Sequence, residues 1–474
     1  MNFSTRDYLH LGLLLPMLAG FGVVFYFFAK SVDYPLPETS FTSSAQKVWS
    51  DIFEAIPAPM PGEFPDEDYL NDIESVDDVS PTDAQTLAGN NAFLVTCTLL
   101  VLLGCFGLAL LSSATRIGEP WWNSFIRSGT MIAAAFVTFS LWGFYLAFPG
   151  DHFGIFPRFS FTFPGYVDPI EYGLSGVSEW TDVIYIASYA AFIGCLLVSF
   201  SSAAQTTASS FLISLPVLSI AFPLVLSWKW GAGWIDQLLN NADFAGAALV
   251  HWHVGACALL IGGVLTFFRT RNQLTPLPTP EPMRYLAGGA LYFLGVIGLN
   301  AGSTLTAAPG IVASVIQCTA VSAAASGVVA SIFGAATRQG HFVTFLVAGV
   351  IGGAVAVSGG ADTFTMNQSL VIGTFSGAVI ATTLFFLQQL KWADPLAVGV
   401  THGLGGFIGI FATCLAASED GINATFGGQL VLLVTVPLMS LFITAIVLMI
   451  AGATGFLTYE KKPTPVPPSL PRTS

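Results

Sequence analysis

Apolar residues in this chain do not alternate with polar ones. They come in long unbroken runs, each close to the roughly 20 residues that a membrane-crossing helix needs. The runs fall near 11–29, 92–114, 126–148, 182–204, 211–228, 243–267, 285–305, 309–335, 343–359, 368–389, 395–417 and 428–457. The turn-rich, period-two pattern of an outer-membrane barrel is absent. The pattern predicts an all-α polytopic membrane protein of twelve spanning helices, or eleven if the first run is not retained.

Composition supports that class and charge orients it. Only 9% of the 474 residues are charged, against about 25% in a soluble domain. Arg116 and Arg127, then Arg269, Arg271 and Arg284, then Arg338, Lys391, and finally Lys461 and Lys462 fall in alternate loops. Basic loops mark the cytoplasmic side, which places both termini inside in a cell membrane, a bacterial inner membrane being the expected one.

The chain divides into four stretches: 1–30, a hydrophobic N-terminal segment; 31–90, an acidic external segment; 91–458, the transmembrane domain; and 459–474, a short Pro-rich cytoplasmic tail. Residues 11–29 fit either a signal peptide or an extra helix. Their core exceeds the usual 7–15 residues and no clear small-residue cleavage site follows, which favours a retained helix. Residues 31–90 hold thirteen Asp and Glu against Lys47 alone, and Pro57, Pro59 and Pro61 lie among them. A solvated external linker accounts for this composition. A vestibule that concentrates cations, or a docking site, is the sharper alternative; Trp49, Phe53 and Tyr69 leave room for some ordered packing.

Ionisable residues inside the runs change the picture most. His251 follows Asp243 by eight positions, and His402 follows Asp394 by eight. An ionisable group at membrane depth costs roughly 2.5 kcal/mol or more unless it faces a protein interior or a pathway. Two like spacings far apart in sequence point to a polar constellation where two halves of a helical bundle meet. His253 is read as a core histidine. It stands about 200° around a helix from His251, so the two cannot face one centre. No Cys-x-x-Cys or His-Glu pair completes a metal set, and no cofactor is expected. Cys97, Cys105, Cys195, Cys257, Cys318 and Cys414 all lie in apolar runs, as buried hydrophobes do, and not in the external segment where a disulfide framework would sit.

Asp243-Phe-Ala-Gly-Ala-Ala-Leu-Val-His251 resembles the signature of the ammonium transporter family, the group that includes methylammonium permeases and Rhesus proteins. Asp394-Pro-Leu-Ala-Val-Gly-Val-Thr-His402-Gly-Leu-Gly-Gly is similar to the second histidine segment of that family. Asn300-Ala-Gly-Ser303, Asn91-Ala-Phe93 with Cys97-Thr98, and Trp230-Gly-Ala-Gly233 match further motifs, in order, over roughly residues 88–458. The Asp-Phe-Ala-Gly wording is closest to the bacterial ammonium transporters.

The resemblance implies an eleven-helix bundle, a five-plus-five inverted repeat and a homotrimer embedded in lipid. It implies a carrier of ammonium or ammonia rather than an enzyme. It maps Phe192, Trp230 and Ser303 onto an external recruitment site and gate, where π faces hold a cation and the Ser303 hydroxyl accepts an N–H bond. It makes His251 and His402 pore-lining neutral imidazoles that share a hydrogen bond. Asp243 and Asp394 become electrostatic and structural supports, Asp243 as a helix-capping group.

The chain also departs from the family pattern. The second gate phenylalanine aligns with Ser188, and the aromatic pair before the Asn-Ala-Gly-Ser motif aligns with Val296 and Leu299. Ser112-Ser113-Ala114 stands where Tyr-Gly-Gly is usual, and Gln205-Thr206 where Glu-Arg is usual. The sequence after Gly455 lacks the usual regulatory tail, which puts a PII signalling protein as partner in doubt. Two other classes stay open: an ammonium sensor with little flux, and a membrane metalloenzyme using His251, His253 and His402. Nothing points to nucleic acid, and a P-loop is absent.

Overall fold

The computed structural model of this chain describes residues 81–116, 119–149, 157, 177–202, 207–268, 280–337, 342–416 and 424–454. The predicted first helix, nearly all of the acidic segment, the residues around Gln205 and the C-terminal tail lie outside the described residues. Of the two compact units, Met1–Thr86 and Leu87–Ser474, the second holds the helical bundle.

Among the described residues there are eleven apolar helices of the bundle. They are α1 (Pro81–Thr115), α2 (Trp122–Ala147), α3 (Glu179–Ser202), α4 (Thr207–Pro216 continuing through Val217–Ala221 and Phe222–Lys229), α5 (Ala247–Trp252 continuing as His253–Phe268), α6 (Pro282–Gly302), α7 (Pro309–Ala336), α8 (Phe342–Val355), α9 (Met366–Gln389), α10 (Gly399–Leu404 continuing as Gly405–Ala416) and α11 (Phe426–Ala453). Nine of them are long enough to cross a membrane and two, α8 and α10, are shorter. Each matches one predicted run. α1 begins eleven residues before its predicted run. The all-α membrane architecture is the observed one.

Capping chemistry fixes several ends. Thr365 and Gln368 form a capping box at the start of α9. The Glu281 carboxylate accepts from the amides of Met283 and Arg284 at the start of α6. Between α1 and α2, Glu119 binds both Arg116 and Arg127. Burial alone would raise the Glu119 carboxyl, but its bonds to Arg127 and Arg116 and their charge hold it below the usual carboxylate range.

Opposed orientation of the two halves is visible where α5 meets α10. The Ala393 amide, just before α10, donates to Thr266 Oγ1 near the end of α5 (2.9 Å). Gly406, further along α10, approaches Ala247 and Trp252 at the start of α5. The two helices therefore run antiparallel, as the fifth elements of inverted repeats must. At the crossing a Cβ on Gly255 would lie 2.1 Å from the Gly403 nitrogen, so only a hydrogen fits there. α11 closes the outer side of α5: the Trp252 indole donates to the Leu433 carbonyl (2.8 Å).

All six cysteines are free; five are buried and Cys414 is half-buried. Asn300 ties α6 to α7 and to the turn after α8, donating to Thr319 Oγ1 (3.0 Å) and accepting from Ser358 Oγ (2.9 Å). This gives the Asn-Ala-Gly-Ser motif a packing function at the end of α6.

Candidate functional site

Both Asp-to-His segments fold into the same local device. Gly246 takes φ +88°, which only glycine adopts without strain, and the chain then enters α5 through a wide π turn over Ala247–Trp252. The Asp243 carboxylate accepts from the amides of Ala248 (3.1 Å) and Leu249 (2.9 Å), which the opening of a helix leaves unpaired. α10 opens with a π turn over Gly399–Leu404, and the Asp394 carboxylate accepts from the Val400 amide (3.3 Å). In each half the aspartate caps the turn that carries the histidine. The eight-residue spacing is the length of that device.

Antiparallel packing then brings the two histidines together. His251 Nδ1 and His402 Nδ1 are 2.9 Å apart, with ring centroids at 4.9 Å, and both residues are 0% exposed. One ring must donate and the other accept. His402 does not end there: its Nε2 is hydrogen-bonded to the Tyr292 hydroxyl of α6. The Tyr292 and His402 rings lie 5.9 Å apart and tilted by only 27°. His251 Nε2 is buried without a hydrogen-bond partner among the described residues.

A second cluster sits toward the C-terminal end of α6, where Ser303 and Trp230 are half-buried. The Trp230 indole N–H donates to the Asp243 carbonyl (2.8 Å), so Asp243 orients this ring as well as capping α5. The Tyr189 ring stands edge-to-face against Trp230 at 5.8 Å. The Tyr189 and Ser303 hydroxyls are 2.7 Å apart. The Tyr185 hydroxyl, one turn earlier, lies 3.0 Å from that of Tyr189, and both are within hydrogen-bond reach of the Leu299 carbonyl (2.8 and 2.9 Å).

Phe192, which the resemblance groups with Trp230 and Ser303, reaches Tyr292 and the histidine pair. It lies nearly one turn beyond Tyr189 on α3, with its ring 5.6 Å from Tyr292 and 6.1 Å from His402. The aromatic pair spaced by four residues on α3 is Tyr185 and Tyr189, and Ser188 bonds back to the Tyr185 carbonyl. His253 turns away from His251 and binds Ser440 of α11. The sequence reading missed Tyr185, Tyr189 and Tyr292. Their signal was available: a buried tyrosine hydroxyl needs a partner, and all three lie in apolar runs at membrane depth.

Residues 92–463 match the model of the Ammonium Transporter Family. The ammonium transporter of Bacillus subtilis is 29% identical over 351 residues, 72% of this chain and 83% of that protein. Ammonium transporter 1 of Dictyostelium discoideum is 28% identical over 363 residues, 72% of this chain and 75% of that one. Mep2 of Candida albicans shares the fold at a TM-score of 0.69 and 21% identity, with 80% of this chain and 87% of that one covered. A protein described as Sensor Amt Protein shares it at a TM-score of 0.69 and 20% identity, over 78% of this chain and 94% of that one.

Proposed function

This chain belongs to the Ammonium Transporter Family, and on that premise we propose that it recruits ammonium at the cluster of Trp230, Tyr189 and Ser303 and passes ammonia inward past His251 and His402. It is a multi-pass membrane protein and not an enzyme. The indole and phenol faces replace part of the hydration of a cation, and the Ser303 hydroxyl accepts one of its N–H bonds. Phe192 stands between this cluster and the histidines and closes the way to bulk water. Beyond it, ammonia moves along neutral imidazoles, with or without a proton relayed separately. An alkali cation has no N–H to pair with these groups, so K⁺ is discriminated by chemistry and not by a size filter.

The observation that carries this reading is the wholly buried Nδ1–Nδ1 contact between histidines from opposite halves. Unless a pathway uses them, two imidazoles at that depth are expensive. The test is ammonium-evoked current from vesicles on solid-supported membranes. His251→Ala and His402→Ala should each abolish selective ammonium flux. Unchanged flux and unchanged K⁺ exclusion in both variants would remove the histidines from the mechanism.

The protein works, in this reading, as a homotrimer in a bacterial inner membrane with its C-terminus in the cytoplasm. A sensor that binds ammonium with little flux is the second reading. One observation favours it: the Tyr292 hydroxyl occupies the outer nitrogen of His402, where a passing solute would otherwise bind. Saturable binding without current in wild-type protein would select the sensor.

A further inference from the structure

The histidine pair does not stand alone in this chain. His251 Nε2, the His251–His402 bridge, His402 Nε2 and the Tyr292 hydroxyl form one buried line contributed by α5, α10 and α6. Two proton arrangements satisfy the bridge. In the first, Tyr292 donates to His402 Nε2, His402 Nδ1–H donates to His251 Nδ1, and His251 carries its remaining proton on Nε2. In the second every bond reverses: His402 Nε2–H donates to the tyrosine oxygen, and His251 presents a bare Nε2.

The two arrangements differ in what they leave over. Tyr292 is 4% exposed and, among the described residues, its hydroxyl bonds to His402 alone. The first leaves one buried group unpaired, the His251 Nε2–H that faces the conduit; the second leaves two, the Tyr292 O–H and the bare His251 Nε2. Each buried polar group without a partner carries a desolvation penalty, so the arrangement with fewer of them is favoured. Phe192 packs edge-on to His402 and beside Tyr292.

We propose that Tyr292 is a positioning residue that fixes the direction of the His251–His402 hydrogen bond, so that His251 presents Nε2–H, a donor, to the conduit. The solute it favours carries a lone pair. Neutral ammonia accepts from Nε2–H; ammonium has no lone pair and meets the positive end of an N–H dipole. Tyr292 thereby makes the midplane select ammonia over ammonium independently of the aromatic mouth. This rests on the conduit reading above, and its test needs no transport.

The test is ¹⁵N NMR of the full-length protein in lipid, labelled at histidine, with His402 resonances assigned by their loss in His402→Asn. Wild type should hold His402 in one tautomer, Nδ1–H with bare Nε2, by about tenfold or more over the other. Tyr292→Phe keeps the ring and removes the hydroxyl; it should bring the two tautomers within about threefold of each other. A wild-type His402 protonated at Nε2, or a tautomer ratio unmoved by Tyr292→Phe, overturns the proposal. Where the Phe variant fails to fold, the wild-type spectrum alone decides between these outcomes. Loss of ammonium current in His251→Ala bears on the conduit; the tautomer ratio bears on Tyr292, so the two can fail separately.

Discussion

At the level of single side chains, the outer cluster is a set of bonds around one indole. Trp230 is held by the Asp243 carbonyl and faced by Tyr189, which reaches Ser303. A cation over an indole face gains about 0.5–2 kcal/mol, so Trp230→Leu should raise the half-saturating ammonium concentration by about 2- to 30-fold. Tyr189→Phe keeps the ring and loses only the hydroxyl contact, so its effect should be smaller. Concentration series of ammonium-evoked current check both; equal effects would deny Trp230 its separate contribution. His251 and His402 were legible in the sequence because a histidine in an apolar run is rare and expensive. Tyr189 and Tyr292 were not, because a tyrosine in such a run looks like any packing residue. Whether its hydroxyl finds a partner depends on helices about 110 residues away.

Among helices, the crossing of α5 and α10 sets whether the histidines meet. The two glycines there are not equivalent. A Cβ on Gly255 would strike the Gly403 backbone at 2.1 Å, whereas one on Gly403 would meet Leu259 Cδ1 at an ordinary 3.4 Å. Gly255→Ala should therefore destabilise the bundle by about 3 kcal/mol or more, and Gly403→Ala by less than about 1 kcal/mol. Thermal unfolding in detergent measures the contrast, and comparable melting points for the two variants would contradict it. The α1–α2 connection offers a test with a pH signature. The folded-state pKa of Glu119 is lowered by its arginine partners, so its contribution is present above the ordinary carboxylate range and is lost as pH falls through the lowered value. Glu119→Gln should melt below wild type at pH 7, and the gap should shrink below about pH 4.

Among the described residues the helical bundle presents apolar side chains outward, as a bundle in lipid must. Ile332 on α7 is 65% exposed and Val371 on α9 67%. Both helices belong to the second half, where α7, α8 and α9 pack together around Phe345, Ile380 and Leu384. The homotrimer reading predicts a protein mass three times the 50.0 kDa of one chain by light scattering in mild detergent. A monomer retaining full ammonium current would dissociate assembly from transport.

The all-α class, the run that becomes each described helix and the placing of two histidines inside such runs follow from the residues in order. Those properties are local: run length, the cost of charge in lipid and the capping demand of a helix end are all carried by neighbours in sequence. Even the Asp-to-His spacing belongs here, since one carboxylate caps the turn that bears one ring. The partner of each polar tip was not written that way. Phe192 sits beside His402 and Tyr292, Tyr189 joins Trp230 and Ser303, and Tyr292 joins the histidine line. Each of these depends on how far one helix is rotated and slid against another, and many distant contacts set that jointly.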